Sequence, residues 1–486
     1  MMGLVAKQTF YNLLSIGLAF MLGALNTLYM FPNFMGSRLQ GVVIALLAYS
    51  NLVQPFISFG LQHAVIKYYS SLKTKEERDS LLVFTIWSPL IVIILISIYL
   101  WMFSSSIIID ISSKEPLIST YAFVIILIAI STSYFEIFFS WLRVHLASVF
   151  GNFLKEFYPR LLSFVLLVCF ASNLIDFELF IYLLIIGYYF RLVIVIFYSL
   201  KIYTPKFTLT LPPFYLKILF YSFLIFLSAA ASSIILDIDK SMIASLITSD
   251  DVAFYSVALF IAAVIEAPGR AMFQIVSPLV SKAINSNDKI YLTRLLKKSS
   301  NNLFLVSGVL FLLINLNLTD FYVFVNQPMY AVAMGVVSIV SLGKLYSMSI
   351  GCLNNIISNS KLYPYIFWFS ISSAIIAVVL NFILIPEYGI LGAAYATLFV
   401  IFLMNTLKLI LVAYGLKIHP YSIESLKILL VIIVVYFLTK EINLEYTSFI
   451  NLLIRSVLIT LLYSTFSYIF GLTNDINTQI NKYLDR

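Results

Sequence analysis

Residues 264–280 read VIEAPGRAMFQIVSPLV, a run apolar enough for hydrocarbon that still carries Glu266, Arg270, Pro268 and Pro278. An ionised side chain at a bilayer centre costs about 2.5–3.5 kcal/mol on insertion scales, so it faces a cavity or a partner. Glu266, Arg270, Gln274 and Ser277 recur at intervals of 4, 4 and 3, which puts them on one face of a helix. Glu266 and Arg270 stand at the i, i+4 spacing that favours an ion pair. The two prolines bend a helix and free carbonyls that then need other partners. The stretch therefore predicts a kinked helix with one wet face inside a membrane.

The surrounding chain supports a bilayer as its solvent. Of 486 residues, 62% are hydrophobic and only 11% charged, and the mean hydropathy is +1.01. A soluble chain carries about a quarter charged residues. Apolar runs of about 20 residues fall at 9–31, 41–62, 81–103, 117–141, 150–171, 179–200, 214–236, 252–277, 301–318, 329–352, 362–384, 390–414, 421–439 and 447–470, which predicts fourteen transmembrane helices. The first run is too long for a signal-peptide core and reads as a retained helix. The +8 net charge reports topology rather than nucleic acid. Of the 30 Lys and Arg, all but Arg38, Lys114, Lys240, Lys440 and Arg455 fall on one side when both termini are placed in the cytoplasm. Cys169 and Cys352 form no disulfide framework, and His63, His145 and His419 form no metal-ligand motif. No loop is long enough for an extramembrane catalytic domain, so an enzyme is not expected; a membrane glycan polymerase or ligase would need a large polar loop or an intramembrane acid–histidine cluster.

TPKFTLTLPP (204–213) interrupts the helical pattern with three prolines beside Lys201, Lys206 and Lys217. It predicts an N-terminal lobe (1–203, spans one to six), a cytoplasmic linker (204–213), a C-terminal lobe (214–416, spans seven to twelve) and two additional helices with a cytoplasmic tail (417–486). Gly41 to Pro55 in the second span echoes Ala253 to Pro268 in the eighth, a repeat of the kind from which transporters are built.

Polar stripes mark wet faces on other helices. The fourth span offers Ser133, Glu136, Ser140 and Arg143, and the second Asn51, Gln54 and Ser58 beside Pro55. The tenth aligns Ser338, Ser341 and Lys344 at spacing 3, and the twelfth Asn405 and Lys408. Arg191 sits midway along the sixth with Tyr188 one turn earlier. Arg143, Arg270, Lys344 and Lys408 lie toward inner helix ends, where snorkelling to the surface is the alternative to a cavity role; Arg191, mid-helix, has no such exit. Glu136 is a salt-bridge candidate for Arg143. The Ser and Asn stripes serve equally as helix-packing contacts. Asp237, Asp239 and Lys240 are placed at the outer end of the seventh span, as a surface cap or as an ion or gate position. Segment 281–300 is either a solvated loop or an amphipathic helix with Ile290, Leu292, Leu295 and Leu296 on lipid.

DIDKSMIASLITSDDVAFYSVALFIAAVIEAPGRAMFQIVSPLVSKA (237–283), NFILIPEYGILGAAYAT (381–397) and KQTFYNLLSIGLAFMLGALNTLY (7–29) resemble the corresponding helices of polysaccharide flippases. That family shares a superfamily with multidrug (MATE) exporters, oligosaccharide-lipid flippases and the lipid II flippase. The resemblance implies an all-α polytopic membrane protein with a MATE-like fold. It also implies alternating-access movement of a polyprenyl-diphosphate-linked glycan (O-antigen or capsule repeat unit) across a bacterial inner membrane. The resemblance is compatible with coupling to sodium or proton flow, although no residue here identifies the ion; a monomeric state and glycan polymerase machinery as a partner are further expectations. The stripes fit such a cargo. Arg143, Arg191, Arg270, Lys344 and Lys408 stand against Glu136 and Glu266, and arginine suits phosphate through paired N–H donors. Substrate contacts are expected from Arg191, Arg270, Lys344, Lys408, Arg143, Tyr188, Gln274, Asn51 and Gln54. Coupling or gating is expected from Glu136, Glu266, Asp237 and Asp239. The competing readings are an ion-coupled exporter of organic cations, against which the first two helices hold no acid, and a flippase of another anionic lipid.

Overall fold

The computed structural model describes residues 2–112, 115–145, 147–207, 210–442 and 445–472; side chains of 2–13, 100, 101, 103–112 and 274 lie outside the described residues. So do Lys114, Thr208 and Leu209 of the linker, and the tail 473–486. Among the described residues every regular element is helical. Among the described residues ten helical stretches are long and apolar enough to cross a bilayer, or eleven counting the bent pair Lys289–Asn315 and Leu318–Phe324, which meet at 58°.

Each of the fourteen predicted runs is nonetheless helical over most of its length, although the run at 41–62 breaks at Phe59–Gly60 between two helices. The first two merge into one stretch, Leu14–Ser58, through a π-helical segment at Asn26–Met35 that contains Pro32. The run at 150–171 is divided near Pro159 into Ser148–Glu156 and Tyr158–Ala171, and the run at 421–439 is Ile423–Lys440. The linker is non-helical over its described residues.

Two compact units divide the chain, 1–253 and 254–486, so the boundary falls inside a helix beyond the linker. In order, the first unit holds α1 (Met2–Leu25), α2 (Gly36–Ser58), α3 (Leu61–Tyr68), α4 (Lys75–Ser112), α5 (Pro116–Thr120), α6 (Phe123–Val144), α7 (Ser148–Glu156), α8 (Tyr158–Ala171), α9 (Phe177–Ile202) and α10 (Tyr215–Leu246); α11 (Ser249–Ala263) carries the boundary. Helix α6 is central and packs on α2, α3 and α9. Phe135, Trp141, Leu142, Leu192 and Val195 are buried in the core there. Helix α10, the seventh span, belongs to this unit because its side chains answer those of α2. Tyr49 Oη donates to the Ser241 carbonyl at 2.7 Å, Asn51 Nδ2 donates to Asp237 Oδ2 at 3.1 Å, and Phe59 stacks on Phe226 at 5.3 Å. Gly41 lets α2 approach α11 closely, since a Cβ there would overlap the Ser249 backbone.

The second unit continues with α12 (Ala267–Asn285), α13 (Lys289–Asn315), α14 (Leu318–Phe324), α15 (Met334–Ser349), α16 (Leu353–Asn359), α17 (Pro364–Tyr388), α18 (Ile390–Leu416), α19 (Ile423–Lys440) and α20 (Ser448–Ile469). Helix α13 packs on α12, α15, α19 and α20, while α18 packs on α15 and α17. Segment 281–300 is no separate surface helix, because its second half is the first three turns of α13. Leu292 and Leu296 are buried in the core with Val280 and Ile356 rather than lying on lipid; Ile290 is exposed.

Candidate functional site

The break expected at 264–280 is present. Val264–Glu266 forms a single 3-10 turn between α11 and α12, with Pro268 in the first turn of α12, while Pro278 lies inside that helix. The Ile265 carbonyl at the break accepts a hydrogen bond from Ser307 Oγ of α13 at 2.9 Å, and the Phe273 carbonyl, more than a turn before Pro278, accepts from Asn355 Nδ2 at 3.2 Å. Glu266, on the 3-10 turn, reaches across to a neighbouring helix: its Oε2 accepts from Lys344 Nζ of α15 at 2.9 Å, both side chains about a quarter exposed. Arg270 is exposed on α12.

Beyond Lys344 the polar row continues across helices. Ser347, one turn on, accepts a hydrogen bond from Asn405 Nδ2 of α18 at 2.9 Å. Lys408 follows Asn405 by one turn, half-buried, with Nζ 5.9 Å from the Phe369 ring centre. The stripes of the tenth and twelfth spans are thus one polar line in the second unit: Glu266, Lys344, Ser347, Asn405, Lys408. Ser347 was missed, although it extends the Ser338, Ser341, Lys344 spacing by one more step of three.

In the first unit Arg191 of α9 is buried at 4% exposure. Its guanidinium carbon lies 4.3 Å from the Phe135 ring centre and 4.7 Å from that of Tyr188, and Nη2 donates to Thr132 Oγ1 at 3.4 Å. Its Nε has no hydrogen-bond partner among the described residues. Aromatic faces are its nearest partners, as the quadrupole of a ring attracts a cation, and Glu136 adds a more distant opposite charge. Thr132 carried no sequence signal of its own, being one of three hydroxyl residues in the run Ser131–Thr132–Ser133.

Glu136 is not paired with Arg143. Two helical turns separate them on α6, and Lys155 of α7 reaches Glu136 Oε1 at 2.7 Å instead. Arg143 is exposed, 5.8 Å from the Phe139 ring centre. Ser133 donates to the Gln54 carbonyl at 3.0 Å, tying α6 to α2, while Gln54 Nε2 donates to Ser58 within α2 at 3.3 Å. Asp237, Asp239 and Lys240 do not end a helix: α10 runs on to Leu246. Asp237 is buried and shared between Lys240 Nζ at 2.7 Å and Asn51 at 3.1 Å, and Asp239 is buried nearby on the same helix. Gln274 lies outside the described side chains. Among the described residues no group of three His, Cys, Asp or Glu is placed to hold a metal ion.

Both units therefore hold cations within apolar helices: a nearly buried guanidinium framed by rings in one, and two lysines spaced along a polar line with one carboxylate in the other. Such groups can donate to phosphate oxygens.

The fold is that of known transporters. A lipid II flippase, MurJ, in an inward closed conformation, aligns over 96% of this chain and 98% of its own with a TM-score of 0.71 and 17% identity. An inward-facing multidrug resistance MATE family transporter of the MOP superfamily aligns over 84% of this chain and 94% of its own, with a TM-score of 0.61 and 14% identity. No curated protein matches the sequence. The family described as polysaccharide biosynthesis protein matches residues 5–283, more than half of the sequence and including both the Arg191 site and the break at Glu266. The chain is a multi-pass membrane protein of the polysaccharide biosynthesis protein family, built on the fold of MOP superfamily transporters.

Proposed function

We propose that the protein is a flippase for a polyprenyl-diphosphate-linked oligosaccharide, an O-antigen or capsule repeat unit, in a bacterial inner membrane with both termini cytoplasmic. The observation that carries the reading is the polar line of the second unit, where Lys344 and Lys408 flank Ser347 and Asn405, and Arg270 stands exposed one turn beyond the break. A diphosphate offers several oxygens to such spaced donors. The sugar is served by hydroxyl and amide groups, and the polyprenyl chain stays in lipid. Membership in a polysaccharide biosynthesis family supports glycan as the cargo class. Movement proceeds by alternating access coupled to a sodium or proton gradient. Asp237, shared between Lys240 and Asn51, is the carboxylate whose occupancy changes in that cycle.

Transbilayer movement of a labelled lipid-linked oligosaccharide in proteoliposomes tests this. Arg270→Ala and Lys344→Ala each slow movement about tenfold or more, as expected when a charge-assisted hydrogen bond to phosphate is lost. Unchanged rates in both variants would remove these cations from the cargo path. Export of a cationic dye by the intact protein, without glycan movement, would assign it to the drug-exporter class.

A further inference from the structure

One end of the second unit carries a cationic pocket that the polar line does not use. It lies where α13 and α19 begin and α20 ends, the end that the Lys/Arg count assigns to the cytoplasm. A pocket of about 780 Å3 opens there, lined by Arg294, Lys297, Lys298, Asn301, Ser422 and Glu424 among others. Three cations face one carboxylate. Ile290, Arg294, Lys297 and Asn301 fall at steps of 4, 3 and 4 along α13, one face of the helix, while Leu292 and Leu296 bury the opposite face. The floor is fixed: Asn301 Nδ2 donates to Ser422 Oγ at 3.2 Å and its Oδ1 accepts from Ser425 Oγ at 2.6 Å, clamping α13 to the start of α19. Lys297 is in electrostatic reach of Glu424, the carboxylate of the pocket, and Arg294 is exposed.

Ser422 also lines a second, apolar cleft of about 450 Å3, whose walls include Phe304, Leu345, Leu426 and Leu429. Leu426 and Leu429 are 58% and 41% exposed, in a segment that faces lipid. A cationic pocket adjoining an apolar cleft is complementary to one kind of molecule, an amphiphile with a phosphate head and a hydrocarbon chain. A free anion uses only the first half of the site, and an acidic peptide leaves the apolar half empty. Basic pockets among transmembrane helices at the cytoplasmic side bind anionic lipid headgroups in this way.

We propose that this end of the second unit is a binding site for an anionic phospholipid of the surrounding bilayer, with its phosphate against Arg294 and Lys297 and an acyl chain in the cleft beside Leu426 and Leu429. The site is separate from the cargo reading: a chain that moved no glycan would still hold this lipid.

The test is a thermal-stability titration of the delipidated full-length protein in a neutral detergent. Phosphatidylglycerol raises the melting temperature saturably, whereas phosphatidylcholine and inorganic phosphate do not. In Arg294→Gln/Lys297→Gln the phosphatidylglycerol midpoint moves about thirtyfold higher, with the lipid-free melting temperature unchanged. Should the double variant not be recovered, Arg294→Gln alone, at an exposed position, is read the same way with about a fivefold shift. Four outcomes each overturn the proposal. The midpoint is unmoved in the variants; phosphatidylcholine stabilises equally; inorganic phosphate alone reproduces the effect, which makes the site a free-anion site; or a polyprenyl diphosphate acts at lower concentration than phosphatidylglycerol, which makes it part of the cargo path.

Discussion

Arg191 is the residue on which the first unit's contribution turns. A buried cation with aromatic neighbours and only the more distant charge of Glu136, with no direct ion pair among the described residues, is a stability liability, because desolvation outweighs what these groups and one threonine return. Replacing it with an apolar side chain of similar length should therefore leave the fold intact or more stable. Arg191→Met is expected to melt at or above the wild-type temperature and to lose transport; a melting temperature several degrees lower would make Arg191 a packing residue instead. Glu115 gives a prediction in pH. It caps α5 at the end of α4, and its carboxylate accepts from Arg38 at 2.8 and 3.0 Å. That hydrogen bond holds the Glu115 carboxyl below the usual carboxylate range, ahead of the opposing effect of burial. A depressed folded value means the pair stabilises above the unfolded value, about 4.3, and loses that stabilisation as pH falls through the folded one. Glu115→Gln should lower the melting temperature at pH 7, and the gap from wild type should close as the pH drops below 4. A gap that is constant with pH would contradict the pairing.

At the scale of elements, the break after α11 and the helix that receives it form one device. Glu266 on the 3-10 turn and Lys344 on α15 are partly buried together, so neutralising one strands the other. Glu266→Gln and Lys344→Met are each expected to destabilise, and the double variant to recover most of the loss, with a coupling of about 0.5–3 kcal/mol in a double-mutant cycle. Additive effects would mean the ion pair is incidental. Gly41 is the close approach between α2 and α11; Gly41→Ala should cost about 1–3 kcal/mol through overpacking against the Ser249 backbone, read as a lower melting temperature. These elements also show what a sequence can and cannot disclose. The spacing of Ser341, Lys344, Asn405 and Lys408 made two wet faces visible, because helical periodicity is a local property. That the two faces meet through Ser347 and Asn405 is a tertiary fact, as is the choice of Lys155 over Arg143 by Glu136. Local spacing proposed the nearest opposite charge, and packing supplied a different one.

At the scale of the whole molecule, apolar runs sufficed to locate the helices, since a bilayer forces every backbone group to be satisfied within the segment. They did not reveal that the first two runs join through a π-helical stretch, nor that α10 packs into the first unit. The prolines at 204–213 mark a covalent linker, while the compact units follow side-chain pairing, with Asn51 and Tyr49 holding α10 to α2. Cargo class rests on charge and family rather than on fold, because flippases and drug exporters share this architecture. The most direct measurement compares the intact protein's transbilayer movement of one labelled oligosaccharide on two carriers, a polyprenyl diphosphate and an uncharged polyprenol, in proteoliposomes bearing an ion gradient. Movement of the diphosphate-linked glycan, at least about tenfold faster than that of the uncharged one, is the predicted result. Equal rates for both carriers, or movement of neither alongside export of an organic cation, would contradict a flippase that reads the diphosphate.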